Sequence, residues 1–485
     1  MKRLLVANRS EIAVRVFQAA AELGWTRVAL VAPGDEEARH VTFADEVYPV
    51  SSYLAIDEIA EWVKRAQIDF VHPGYGFLSE RAPFVKAVEA AGGVFVGPST
   101  EVMDLMGDKI RSKEYVEKVG VPTLPWAKVS DLKHLTKEAG RIGFPLILKA
   151  SAGGGGKGMR VVREASELQA SAESAAREAQ AAFGDGTLFV ERFVEAPRHI
   201  EVQVFGNGRG DAIHCFEREC TLQRRHQKVW EEAPAFGLPR AVREKICEAA
   251  RTLAEKTSYR GAGTVEFIYD ETSESFFFLE MNTRLQVEHP VTEWVTGTDL
   301  VREQLLLASD PEGYRLPHIE ETRGHSIEVR VYAEDPSQDF MPTPGKVTDV
   351  YWPLGPGIRV DSGVEVGQTL TTLFDPMIAK LSVWGVDREH ALSRIRYVLK
   401  ETSLLGVGSN LPFLYALSQH PDVIENRVST RWIESHLSEL KESWTEDEVR
   451  ALFDWMKVFS ETRVQAVREG DVPASAWTLV REDDV

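Results

Sequence analysis

The chain has 485 residues, with 56 Lys and Arg against 75 Asp and Glu and a formal net charge of −19. That length supports about three domains and can bury enough apolar surface to fold without a disulfide or a structural metal. The acidic balance argues against nucleic acid or an anionic membrane as partner. The 43% hydrophobic content excludes a disordered chain, and no apolar run reaches the ~20 residues of a membrane span.

The N-terminal elements come first. Leu4 to Ala7 is a short apolar strand, Asn8-Arg9-Ser10-Glu11 breaks it, and Ile12 to Leu23 has helical apolar spacing. Arg27–Val31, Phe70-Val71 and Val94–Val96 are further strands, so strands alternating with helices predict a parallel α/β sheet. A dinucleotide site would need glycines after the first strand, and none stands between Ala7 and Glu11. Strand-like residues begin at Lys2, so no signal peptide is expected. His72 to Glu80, HPGYGFLSE, flanks an aromatic with glycines after a strand. It reads equally as a ligand loop or as a structural turn.

Phe144–Ala150 is the next strand and ends beside Lys149. Ser151 to Met159 follows, with glycine at 153, 154, 155 and 156, and then the strand Arg160–Val162. Consecutive glycines leave backbone N–H groups unobstructed for a phosphate chain. The P-loop pattern fails, because Ser151 replaces its first glycine and Gly158 occupies its Ser/Thr position after Lys157. A loop between two strands predicts a hairpin lid over a nucleotide, bracketed by Lys149 and Lys157. The alternative is a plain surface hairpin. Cys215, Cys220 and Cys247 are an odd, sparse set that fits a reducing cytoplasm better than a disulfide framework or a zinc site. Gln223 to Lys228, QRRHQK, is a basic run able to meet anions.

The carboxylate hairpin is the most informative stretch. Gly263–Tyr269 and Phe276–Glu280 are strands joined by a turn over Asp270–Ser275, and centring it near Ser273 sets Glu266 opposite Glu280. Like charges facing each other are destabilising, and a hard divalent cation such as Mg²⁺ relieves them. Beyond Glu280, alternate residues are Asn282, Arg284, Gln286 and Glu288, one face of an extended chain. That face reads as a metal end (Glu266, Glu280, Asn282) grading into an anionic-substrate end (Arg284, Gln286, Glu288). A solvated strand face is the alternative. Within Glu328-Val329-Arg330-Val331, strand alternation sets Glu328 and Arg330 on one face.

With these stretches in place, the chain resembles the biotin carboxylase family of the ATP-grasp superfamily. ANRSEIAVRV, HPGYGFLSE, MGDK at 106–109, KASAGGGGKGM, PRHIEVQV, QRRHQKVWEEAP, RGAGTVEF, EMNTRLQVEHPVTE, GHSIEVRVYAEDP and FDPMIAKL occur in family order over about nine tenths of its length. The resemblance implies an α/β ATP-grasp fold. Residues 1–108 would form a Rossmann-like N-terminal subdomain and 109–310 the ATP-grasp region, with a small glycine-loop lid at about 121–193. Residues 320–436 would form a C-terminal α+β subdomain, leaving 437–485 as an acidic tail. It implies that ATP and bicarbonate give carboxyphosphate, which then carboxylates biotin carried on a protein, with Mg²⁺ or Mn²⁺ as metal.

The roles carried over are these. Lys109, Lys149, Gly155 and Gly156 hold the phosphates; Glu191, Arg192, Phe193 and Val194 form the adenine hinge; His199, Gln223 and His226 lie near the nucleotide. Glu266, Glu280 and Asn282 bind metal. Lys228, Arg284, Gln286 and Val287 form the bicarbonate site, Glu288 is the base and Arg330 stabilises the biotin enolate. Implied partners are a biotin carboxyl carrier protein and a carboxyltransferase subunit, with a homodimer as a further expectation and the cytoplasm as location. Other readings are a sister ATP-grasp ligase that activates a different carboxylate, and a non-catalytic nucleotide-binding regulator. Ser10 stands where relatives usually carry glycine. Trp230 and Phe236 replace smaller residues and are expected to reshape the rim near bicarbonate and biotin. Gln18 replaces a residue that is often basic at the expected dimer contact. In the tail, Thr445 to Phe459 reads as a capped amphipathic helix with Leu452, Trp455, Met456 and Phe459 in one stripe.

Overall fold

The computed structural model describes residues 1–129, 131–151 and 159–440. Met1–Leu440 form one unit. The expected tail helix and stripe, and Gly155 and Gly156 with the rest of the glycine loop, lie outside the described residues.

Leu4, Leu5 and Val6 are wholly buried, as a strand covered on both faces requires. They form β1 (Arg3–Val6), the centre of a parallel sheet with β2 (Thr26–Val31), β3 (Glu46–Pro49), β4 (Phe70–His72) and β5 (Val94–Phe95), in order β3-β2-β1-β4-β5. The helix after β1, α1 (Ser10–Glu22), packs Ile12, Ala13, Val16 and Phe17 against this sheet. It begins on Ser10 at φ +59°, a conformation that glycine adopts without strain. Gly363 makes room for the extra atoms: a Cβ there would lie 1.8 Å from Ser10 Oγ.

The second layer is antiparallel. β6 (Trp126–Lys128), β7 (Leu146–Ala150), β8 (Arg160–Val162) and β9 (Leu188–Arg192) run in order β6-β9-β7-β8. They are backed by Leu135 and Ala139 of one helix and by Ala172, Ala175 and Ala179 of another. β7 and β8 pair directly, Leu146 with Val162 and Leu148 with Arg160. The glycine segment therefore connects a hairpin, as the strand–loop–strand pattern predicts.

The largest sheet has eight antiparallel strands: β10 (Arg198–Asn207), β11 (Ala212–Arg224), β12 (Gln227–Ala233), β13 (Arg260–Asp270), β14 (Ser275–Asn282), β15 (His325–Tyr332), β16 (Ile358–Ser362) and β17 (Met377–Gly385). Their order is β14-β13-β10-β11-β12-β15-β17-β16. Ile200, Val202, Val265 and Phe267 bury one face against the helix Arg240–Lys256, while the alternate residues carry charge. At the other end, β12, β15 and β17 share a core with four C-terminal helices. The last of these, Trp432–Leu440, runs across the expected boundary at 436. No helix among the described residues is long and apolar enough to cross a membrane.

Two expectations are corrected here. Trp230 is not at the cavity rim. Pairing joins Leu222 to Trp230 but Gln223 to Lys228, so Val229 is an extra residue, and this bulge turns both Val229 and Trp230 into the C-terminal core. Phe236 lies away from the cavity as well, beneath the Arg388 guanidinium at 4.6 Å.

Candidate active site

The register of the large sheet creates a row of charge. Glu280 faces Glu266, Glu266 faces Glu201, and Glu201 faces Arg218 on successive strands β14, β13, β10 and β11. Predicted from the hairpin arithmetic, the Glu266–Glu280 pairing is present, with a bulge just beyond it. Burial, and then the Glu266 carboxylate across the hairpin, pushes the Glu280 carboxyl above its ordinary value. Glu280 has no cation within ion-pair distance among the described residues. A site that resists ionisation beside an ionised acid fits a divalent cation, which would bind Glu266, Glu280 and the Asn282 carbonyl oxygen. Asn282 Nδ2 donates to Glu266 Oε1 at 2.9 Å, and its carbonyl oxygen, which accepts from Arg284 Nη2 at 3.3 Å, would be the third ligand atom.

Lys228 joins this row to the next group. Its Nζ lies 2.5 Å from Glu201 Oε2, 2.9 Å from Glu266 Oε1 and 2.7 Å from Glu288 Oε1. Burial alone would lower the Lys228 pKa, but these carboxylates outweigh it and hold the ammonium charged. Glu288 is fully buried and also accepts from Arg330 Nη2 at 3.0 Å. Against the cost of burial, Lys228 and Arg330 keep its carboxylate ionised, well below the ordinary Glu value. The extended stripe is corrected at this point. The strand stops at Asn282, and residues 283–288 turn irregularly into the helix His289–Thr296, which Pro290 favours at its first turn. That turn brings Glu288 back to Lys228, so the metal end and the anion end meet instead of grading apart.

A cavity of about 730 Å³ opens over these groups. Lys228, Arg284, Gln286, Val287 and Arg330 line one side of it, and Glu266, Glu280 and Asn282 lie beside them. Arg284 is steered by Glu80 of the HPGYGFLSE stretch, with Nε 2.9 Å from Glu80 Oε2. Lys380 Nζ donates to the Val287 carbonyl at 2.6 Å. His199 Nε2 is 3.2 Å from Glu266 Oε2, and Gln223 Nε2 is 2.9 Å from His199 Nδ1. His226 reaches the wall from the tight turn Arg225-His226, both at positive φ. Arg224 and Arg225 of the basic run instead pair with Glu334 and Asp339.

Lys109, Lys113 and Lys149 line the same cavity. Asp108 caps the helix Lys109–Lys118 by accepting from the N–H groups of Ile110 and Arg111, which sets Lys109 at its first turn. Lys149, from the end of β7, lies 2.7 Å from Glu191 Oε2, and Lys113 pairs with the other oxygen of that carboxylate. Burial lowers the Lys109 and Lys113 pKa values. Two cations on one buried carboxylate leave an excess positive charge toward the cavity.

Not every expected residue reaches the wall. Glu288 and Glu191 are not among its lining residues, although Lys228 and Arg330 lie against the first and Lys149 against the second. Arg192, Phe193 and Val194 do not line it: Arg192 Nη1 donates to the Ile142 carbonyl, and Phe193 lies under Arg431. Sequence reasoning missed Glu80, Glu201, Lys113 and Glu11, whose carboxylate accepts from the Tyr75 hydroxyl. Glu80 and Glu201 were signalled by the stretches that contain them.

Three family models match the chain: "Biotin carboxylase, N-terminal domain" over residues 1–103, "Carbamoyl-phosphate synthase L chain, ATP binding domain" over 108–319, and "Biotin carboxylase C-terminal domain" over 328–435. The chain is 45% identical over 450 residues to the Mus musculus mitochondrial methylcrotonoyl-CoA carboxylase subunit alpha, covering 90% of this chain but 62% of that subunit. Biotin carboxylase 1 of Bacillus subtilis is 41% identical, with 90% of this chain and 99% of that protein covered. The biotin carboxylase domain dimer of Hydrogenobacter thermophilus 2-oxoglutarate carboxylase, solved with MgADP, ADP and bicarbonate, superimposes with a TM-score of 0.87. Its identity is 41%, and the match covers 91% of this chain and 99% of that one.

Proposed function

The chain belongs to the biotin carboxylase family, and on that premise we propose that its cleft uses ATP to activate bicarbonate and passes the carboxyl group to carrier-bound biotin. The observation that carries this reading is the Lys228 ammonium. It touches the acid row at Glu266 and the Glu288 carboxylate, with Arg330 on the far side of Glu288.

Lys109 and Lys149 hold the phosphate chain at the electropositive side. Glu266, Glu280 and Asn282 would hold Mg²⁺, or Mn²⁺, which supplies charge neutralisation for the transferring phosphoryl group. Bicarbonate sits against Lys228, Arg284, Gln286 and the Val287 backbone. Glu288 takes its proton as it attacks the γ-phosphate, giving carboxyphosphate and ADP. A carboxylate tied to two cations is a weak base. Bicarbonate and the biotin ureido oxygen compete for Lys228 and Arg330, and that competition raises the basicity of Glu288. In the second step Arg330 faces the ureido oxygen as negative charge develops there. The adenine hinge at residues 191–194, with His199, Gln223 and His226 near the nucleotide, and closure by Gly155 and Gly156 rest on the family resemblance.

The chain spans about three fifths of the mouse carboxylase subunit it matches, so its place in a larger assembly belongs to the same proposal. The partners are a biotin carboxyl carrier protein and a carboxyltransferase subunit. Self-association draws support from the dimer named for the Hydrogenobacter domain. The cytoplasm is the proposed location. The test is to measure ATP hydrolysis with and without bicarbonate, and the carboxylation of free biotin. Bicarbonate-dependent ADP release with carboxybiotin formed is expected; hydrolysis indifferent to bicarbonate would overturn the reading.

A further inference from the structure

The bulge at Val229 has a second effect. It sets Lys228 and Glu231 on the same face of β12, and the β12–β15 register then sets Glu231 directly opposite Glu328. Both carboxyls have 0% exposure. Glu231 Oε1 accepts from Arg330 Nε at 2.6 Å. The other Glu231 oxygen and both Glu328 oxygens are buried with no hydrogen-bond partner among the described residues. Three orphaned carboxyl oxygens on facing residues are costly to bury, and two like charges there would repel.

The surrounding charges do not remove the problem. Arg330 is shared between Glu231 and Glu288. Lys228 is taken by Glu201, Glu266 and Glu288. Lys380, from β17 beside β15, is committed to the Val287 carbonyl and lies 3.6 Å from Asp361 of β16. Tyr332 lies further along β15, and the Tyr75–Glu11 pair adds another acid nearby.

We propose that Glu231 and Glu328 share one proton as a buried acid pair, and that this pair is a positioning device for Arg330 in the biotin half-reaction. One proton between them leaves the pair a single negative charge, enough to hold Arg330 Nε. The Nη groups stay free to leave Glu288 for the ureido oxygen. Loss of the proton would add a second charge behind Arg330 and draw the guanidinium back from the substrate. The directions agree with this: burial, opposed by Arg330 and reinforced by Glu288, raises the Glu231 carboxyl to about 7, and burial, opposed by Lys380 and reinforced by Glu231, raises Glu328 well above the ordinary Glu value. The proposal rests on the reading of Arg330 as the group that faces biotin.

Two measurements test it on the full chain. Infrared difference spectra near neutral pH should show a protonated-carboxyl band in the wild type that is missing from Glu328→Gln, and equally from Glu231→Gln. A band unchanged in both variants would overturn the pair. The second measurement is the ratio of biotin carboxylated to ATP hydrolysed as a function of pH. In the wild type it should fall about tenfold per pH unit beyond the apparent pKa of the pair, the slope of one proton. In Glu328→Gln, where an amide N–H replaces the shared proton, the ratio should not change with pH. The same alkaline fall in Glu328→Gln would overturn the positioning role. Hydrolysis indifferent to bicarbonate in the wild type would sink the biotin carboxylase reading instead, and the infrared result would still decide the pair.

Discussion

Two buried ion clusters border the same cavity, and they are built on opposite plans. At one side a single carboxylate, Glu191, holds two ammonium groups, Lys113 and Lys149. At the other, a single ammonium, Lys228, is surrounded by the carboxylates of Glu201, Glu266 and Glu288. The first is short of negative charge and suits an anion such as a phosphate chain; in the second Arg218 and Arg330 offset Glu201 and Glu288, and it is Glu280, with no ion-pair partner among the described residues, that suits a divalent cation beside Glu266. On the proposed function, the lysines would hold the phosphates of an ATP–metal complex and the acids would hold its metal. The contrast also shows how each is built. The acid side comes mainly from strand register in one sheet, with Glu288 brought in by the turn before the helix at His289, while the lysine side joins Lys113 of a helix to Lys149 and Glu191 of the paired strands β7 and β9.

The contrast is broken hardest at the shared carboxylate. Glu288→Gln keeps the shape and hydrogen-bonding reach of the side chain but cannot take a proton. It should retain ATP affinity while bicarbonate-dependent turnover falls by roughly 10²–10⁴-fold, the usual contribution of a positioned base. Steady-state ADP release at saturating bicarbonate is the measurement, and near-normal turnover would move the role to another residue.

Arg330→Met should separate the two half-reactions. Carboxyphosphate can form and break down in water without this arginine, so much of the bicarbonate-dependent ATP hydrolysis should persist. Biotin carboxylation should lose about 2.7–4 kcal/mol of transition-state stabilisation, as for removal of one oxyanion donor. Both products are to be measured on the same sample. A parallel loss would show that Arg330, paired as it is with Glu231 and Glu288, serves the first step or the fold.

How legible these sites were in the sequence follows from how they are built. The Glu266–Glu280 pairing could be read from a hairpin because strand registry is arithmetic. Continuing the same period through 283–288 failed, because the helix that starts at His289 with Pro290 ends the extended chain after Asn282. Placing Trp230 at the rim from its replacement of a smaller residue failed at one extra residue, Val229, which no local pattern marks and which turns the indole into the core. Lys113 escaped notice for a different reason: it is an ordinary charge in an ordinary helix, and only tertiary placement gives it a partner. Position along the chain also hid the relation of Glu80 to Arg284, 204 residues away.

The lysine side can be sharpened through its one acid. Glu191 is buried, yet Lys149 and Lys113 together hold its carboxyl below the ordinary Glu value. Its stabilisation is therefore complete above that ordinary value and is lost as pH falls through the depressed one. Glu191→Gln should cost about 1.5–3 kcal/mol, the range for a hydrogen bond to a charged group. Urea unfolding without nucleotide reads that loss. Added ATP should stabilise the variant more than the wild type, since phosphate replaces the missing charge; equal stabilisation would contradict the electropositive assignment.

The smallest effect is expected at Ser10, which lines the cavity and belongs to neither cluster. Its φ of +59° costs an L-residue roughly 1–2 kcal/mol, and Ser10→Gly removes that strain. Glycine also gives the unfolded chain more freedom, which costs about 0.4–1 kcal/mol and opposes the gain. The net change should stay within about 1 kcal/mol, with turnover unaltered. The informative partner is Gly363. An added methyl there would meet Ser10 Oγ at 1.8 Å, and then the Glu11 backbone nitrogen at 2.8 Å. Gly363→Ala should therefore be clearly destabilising in the wild type and less so in a Ser10→Gly background, where the nearer obstacle is gone and the backbone one remains. A double-mutant cycle by urea unfolding should give a coupling of about 0.5–3 kcal/mol, the range for residues in contact. Strict additivity would mean that Gly363 does not make room for Ser10, and that the serine is accommodated by some other movement of the α1 entry.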